Sequence, residues 1–108
     1  MKESDQDRAR KLLQPYRKRI DDLDGQILKL LGKRFGIIRK VARIKARHGI
    51  PSFLHSRVEE VRERCAKLGK LYGIDSGFVR LLYSVIIYQS CAMEDEIKAE
   101  IKAGIDGA

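Results

Sequence analysis

Four charged residues occupy what should be the buried seam of a helix. Counting in sevens from Arg17 through residues 15–48 gives Arg17, Asp24, Leu31, Ile38 and Lys45, and three residues after each come Ile20, Ile27, Arg34, Val41 and His48. Such a pattern turns one stripe of a helix toward a partner. Six of these positions are neutral or apolar, but Arg17, Asp24, Arg34 and Lys45 are charged. A desolvated cation without a counter-ion is costly. One cation alone can extend its aliphatic stem and reach water, whereas three on one stripe ask for an anion to share. At about 1.5 Å of rise per residue, Arg34 and Lys45 stand roughly 16 Å apart, and Arg17 and Lys45 roughly 42 Å. Two long side chains leaning together from Arg34 and Lys45 can hold one small ligand. Arg17 can join them only from a second, antiparallel copy of the helix. The pattern therefore predicts a symmetric homodimer with composite anion sites.

The elements that must position these residues follow from local chemistry. Pro15 fits a first helical turn, or a kink if the helix begins several residues earlier. Residues 1–10 are highly charged and are expected to fray, although RARKLL can prolong the helix. The helix should run to about His48, where Gly49-Ile50-Pro51 supplies a stop. Ser56 is placed to cap a second helix with Val58, Val61, Cys65 and Leu68 at helical spacing, ended by Gly73. Asp75 or Ser76 caps a third, whose inward side is expected to include Val79, Leu82, Val85, Ile86, Met93 and Ile97. Periodicity is lost at the glycines, and residues 103–108 are expected to fray. The expected architecture is all-α, with three helices in one domain over 1–108. One helix is very long, about 50 Å. Two shorter helices of the same chain cannot cover it, so an intertwined helical homodimer is expected.

Composition agrees with this and narrows the function. The 108 residues are 44% hydrophobic and 35% charged, with two prolines and no tryptophan, which suits helices better than sheets. The formal net charge of +8 raises nucleic acid, membrane surfaces and small acidic substrates as partners. Many charges alternate in sign, as in RKRIDDLD and RVEEVRER, and read as solvated helix faces. The seam cations point inward, which argues against a basic helical nucleic-acid-binding dimer, the main rival from another class. No apolar run approaches a membrane span and the N-terminus has no apolar signal core, so a cytoplasmic protein with no membrane partner is expected. Cys65 and Cys91 sit among apolar neighbours and read as packing residues. His48 and His55 have no third ligand at helical spacing, so no metal site is expected.

The order and spacing of several motifs resemble the all-α (AroQ-type) chorismate mutase family across roughly residues 13–97. These are Arg17-x2-Ile20-x2-Leu23-Asp24, Leu30-Leu31-x2-Arg34, Val41-x3-Lys45, Pro51-x5-Arg57 and Ile86-Ile87-x2-Ser90. The resemblance implies an isomerase, an intertwined dimer that converts chorismate to prephenate by a [3,3] rearrangement without a cofactor. Matching positions imply that Arg34 and the partner chain's Arg17 clamp substrate carboxylates, and that Lys45 donates to the ether oxygen and a carboxylate. Arg57 and Ser90 would complete the anion-binding wall.

Three positions depart from the family pattern. Acidic residues that stand near the substrate's C4 hydroxyl in well-known members are matched here by Leu54 and Val58. Glu94 falls where many members carry a glutamine that donates to the ether oxygen, and a carboxyl group donates only when protonated. The connector RHGIPSFLHSRV also resembles that of the 4-amino-4-deoxychorismate mutases of antibiotic pathways. A third relative on the same scaffold, isochorismate-pyruvate lyase, eliminates pyruvate. The substrate-binding set expected from the resemblance is thus Arg17, Arg34, Lys45, Leu54, Arg57, Val58, Ser90 and Glu94, with Lys45, Glu94 and Arg34 at the chemistry.

Overall fold

A computed structural model describes residues 2–104 of the chain. They form three α-helices, α1 (Asp5–His48), α2 (His55–Lys70) and α3 (Ser76–Lys102), with no strand among the described residues. The all-α expectation holds. No helix among them is long and apolar enough to cross a membrane.

α1 starts ten residues ahead of Pro15, so residues 5–10 are helical rather than frayed. Ser4 explains the early start: its Oγ accepts from the Asp7 amide at 3.1 Å, and Asp5 and Asp7 place negative charge at the positive end of the helix dipole. Pro15 lies inside the helix, where it removes one backbone donor without ending it. The frayed residues expected at Met1 and 105–108 lie outside the described residues.

The described residues fall into two units, divided between Arg34 and Phe35. The first is the N-terminal part of α1, in which Ala9, Leu31 and Arg34 are half-buried and every other described residue is exposed. The second contains the end of α1 together with α2 and α3, which pack against each other. Its core is Val61, Cys65, Val79 and Ile87, with Val58, Tyr83 and Cys91 packed against it.

The α2–α3 corner is tight. Ile74 and Tyr72 both donate to the Gly69 carbonyl at 3.0 Å, and Gly73 adopts φ +73°, which costs any other residue strain. A Cβ on Gly69 would stand 2.7 Å from Cγ2 of Val79, so glycine lets α3 approach α2 here. Asp75 caps α3 by accepting from the Phe78 amide at 2.9 Å. Across the helices Arg80 holds Glu63 through two hydrogen bonds of 2.9 and 3.1 Å, and this guanidinium lowers the Glu63 carboxyl below its ordinary range.

Three local expectations are corrected. α2 begins at His55 with Leu54 at its N-cap and no side-chain cap, so Ser56 is a helical residue and not the cap. α2 also ends at Lys70, and Leu68 is exposed. On α3, Leu82 and Val85 face outward in the single chain, while Ile87, Ser90 and Glu94 are buried with Val79 and Ile97. α3 is apolar on more than one face, so its period alone does not select the stripe that meets α2.

Candidate active site

The last turn of α1 brings Lys45 to α3. Its Nζ lies 2.8 Å from Oε1 of Glu94, and the two side chains are 15% and 3% exposed. The approach is that of an ion pair without hydrogen-bond alignment, so Oε1 of Glu94 keeps its hydrogen-bonding capacity. One N–H of Lys45 donates to the Ser52 carbonyl at 2.9 Å. An ammonium has three donors, so with one on the Ser52 carbonyl two are left to share between the Glu94 carboxylate and a ligand.

The connector between α1 and α2 is held from α3 at several points. Ser52 is buried, and its Oγ donates to Oδ1 of Asp95 at 2.6 Å. Lys98 donates to the Ile50 carbonyl at 2.6 Å, and Cys91 Sγ points at the Ser52 carbonyl from 3.6 Å. Burial pushes the Cys91 thiol up, and the neighbouring Glu94 carboxylate adds to the shift. The connector is short because Gly49 turns it with φ +63° and Ile50 donates back to the Lys45 carbonyl at 2.9 Å.

Ser90 precedes Glu94 by one helical turn and is likewise buried, its Oγ donating to the Ile86 carbonyl at 2.9 Å. The α3 stripe therefore changes from apolar at Val79 and Ile87 to polar at Ser90 and Glu94, then returns to apolar at Ile97. A buried hydroxyl, a buried carboxylate and a cation share one small region.

The other expected residues have different surroundings. Arg57 is exposed on α2 and pairs with Glu60 at 2.8 Å. Val58 is half-buried against the core cluster, and Leu54 is 39% exposed at the start of α2. Arg34 is half-buried and Arg17 exposed, both in the first unit. Ser52, Asp95 and Lys98 were not anticipated: Ser52 and Asp95 are 43 positions apart, and no local pattern announces such a contact. Among the described residues no cluster of three or more His, Cys, Asp or Glu side chains is arranged to hold a metal.

Residues 16–95 match the family model of chorismate mutase type II. The chain is 39% identical over 83 residues to the 4-amino-4-deoxychorismate mutase of Streptomyces venezuelae, covering 77% of this chain and 81% of that protein. It is 32% identical to the 4-amino-4-deoxychorismate mutase of Streptomyces pristinaespiralis, over 78% of this chain and 65% of that one. With the chorismate mutase of Methanocaldococcus jannaschii it shares 31% identity over 82% of this chain and 89% of that protein. No solved structure matches the chain. The match over residues 16–95, with relatives at 39% and 31% identity covered over most of their length, places the chain in the chorismate mutase type II family, as an isomerase of that type.

Proposed function

We propose that the chain catalyses the cofactor-free [3,3] rearrangement of chorismate to prephenate as a homodimer. The observation that carries this reading is Lys45, held at 15% exposure between the Glu94 carboxylate and the Ser52 carbonyl. A pericyclic reaction needs no proton shuttle. It needs a dianionic substrate held in its compact conformer and a donor aimed at the ether oxygen as charge develops there. Even a million-fold acceleration asks for roughly 8 kcal/mol, a magnitude within reach of fixed cations in a dry pocket. In this reading Lys45 serves the ether oxygen and a carboxylate, Arg34 and, across the dimer, Arg17 bind carboxylates, and Arg57 and Ser90 complete the wall. Glu94 donates to the ether oxygen when protonated.

The dimer is supported by what one chain leaves uncovered. Ile20, Leu23 and Ile27 are each 55% exposed, and Leu28 and Leu30 more so. Covering the exposed part of each recovers about 1 kcal/mol or more, and a second copy offers the same surface.

A second reading, with 4-amino-4-deoxychorismate as substrate, is favoured by the two Streptomyces relatives of that name at 39% and 32% identity. Leu54 and Val58 offer no hydrogen bond to a C4 hydroxyl, and none to a C4 ammonium. Turnover of chorismate, 4-amino-4-deoxychorismate and isochorismate should be compared side by side with products identified by mass. Prephenate from chorismate supports the first reading, and preference for the amino substrate supports the second. Pyruvate release from isochorismate would make the protein a lyase, and inactivity on all three would overturn both readings.

A further inference from the structure

Lys45 owes its position to a residue on a connector, and a connector is the part of a fold least able to hold a catalytic group still. Here the connector is pinned. Ser52 is buried although it lies outside any helix, and its carbonyl accepts from Nζ of Lys45 at 2.9 Å while its hydroxyl donates to Asp95 at 2.6 Å. Asp95 adjoins Glu94, which holds the same Nζ from the other side at 2.8 Å. One turn of α3 thus grips the ammonium directly through Glu94 and indirectly through Asp95 and Ser52. A lysine stem has four rotatable bonds, and Glu94 alone, paired without hydrogen-bond alignment, fixes the distance of Nζ but not its direction. The Ser52 carbonyl supplies the direction.

From this geometry we infer that Ser52 and Asp95 are positioning residues, which aim the Lys45 ammonium at the substrate through the Asp95–Ser52–Lys45 chain. The inference rests on the mutase reading of the site. Neither residue touches substrate in this scheme, so their loss should act on turnover more than on binding. A misplacement near 1 Å costs on the order of a hundredfold in rate. Loss of the Ser52 anchor should therefore lower kcat by about tenfold or more.

The test is steady-state kinetics of the full chain on whichever of the three substrates above the unaltered protein converts best. Ser52→Ala and Asp95→Ala should each lower kcat by about tenfold while KM changes by less than about threefold. Ser52→Thr keeps the hydroxyl and Asp95→Asn keeps an acceptor without the charge, and both should recover most of the rate. Asp75→Ala, which removes the α3 cap far along the helix, controls for general loss of stability and should leave kcat near its original value. Asp95 is exposed apart from this contact, so Asp95→Ala remains informative if Ser52→Ala fails to fold. The inference is overturned if Asp95→Ala retains full kcat, if Asp95→Asn is as slow as Asp95→Ala, or if Asp75→Ala is equally slow. An unaltered protein inactive on all three substrates overturns the mutase reading, and this inference with it.

Discussion

Removing one member of the Lys45–Glu94 pair should destabilise the fold unequally, depending on which member is lost. At 2.8 Å the attraction is roughly 6 kcal/mol at an effective dielectric constant near 20. Much of that is offset by the cost of taking two ions out of water. Lys45→Met keeps most of the stem and deletes the charge. It leaves a carboxylate at 3% exposure with no counter-ion, a loss of about 3 kcal/mol or more. Glu94→Gln keeps the shape of the acid and leaves an ammonium that is 15% exposed and still bonded to the Ser52 carbonyl, a loss of about 1 kcal/mol.

For a chain of this size each kcal/mol lowers Tm by about 4 °C or more. Lys45→Met should therefore melt about 12 °C below the unaltered protein, and Glu94→Gln about 4 °C below it. The double variant should be no worse than Lys45→Met, because it buries no unpaired charge. Circular-dichroism melts at one fixed protein concentration check this, since the Tm of any associating protein depends on concentration. A Glu94→Gln loss equal to or above that of Lys45→Met would refute the reasoning, as would a double variant markedly less stable than Lys45→Met.

Replacing Ile20 and Ile27 together with Asp should convert the proposed homodimer to monomer in sedimentation velocity and abolish turnover; a dimeric, active double variant would place the interface elsewhere. Gly69→Ala gains helix propensity but drives a Cβ to 2.7 Å from Val79, so the net effect should be a loss of about 1–3 kcal/mol in chemical denaturation. With Glu94 as the ether-oxygen donor, Glu94→Ala should lower kcat by about a hundredfold while Glu94→Gln, which keeps an N–H donor there, retains most of it; a fully active Glu94→Ala removes Glu94 from that role. Because burial raises the Cys91 thiol, its alkylation by iodoacetamide should stay slow at pH values where glutathione reacts readily and should accelerate only at higher pH, as followed by peptide mass.

The three-helix order was legible because its boundaries are written in local chemistry. Gly49 and Gly73 both adopt positive φ, and Asp75 caps the next helix with its own carboxylate. Such signals act over a few residues and need no knowledge of the fold. The inward stripe of α3 was not legible in the same way. Leu81, Leu82, Val85, Ile86 and Ile87 leave no polar face between them, so two stripes compete, and Leu82 and Val85 were assigned to the wrong one for a single chain. At the start of α1 two local signals compete. Pro15 is a strong local signal for a first turn, but Ser4 with Asp5 and Asp7 is a complete N-terminal cap ten residues earlier, and a proline removes only one bond from a helix already under way.

Burial also separates the site from the scaffold without any reference to relatives. Along α3 the stripe facing the rest of the second unit runs Val79, Ile87, Ser90, Glu94, Ile97, and at its two polar positions the residues are 4% and 3% exposed. If packing were the only demand, leucine at position 94 and methionine at 45 would serve better, since apolar replacement of a whole buried ion pair is often neutral or stabilising by about 1–4 kcal/mol. The chain instead buries an acid, aims a lysine at it and spends a serine and an aspartate on fixing the loop beside that lysine. Stability alone does not account for that arrangement. It is accounted for if Lys45 must be desolvated, charged and held in one direction when an anion arrives.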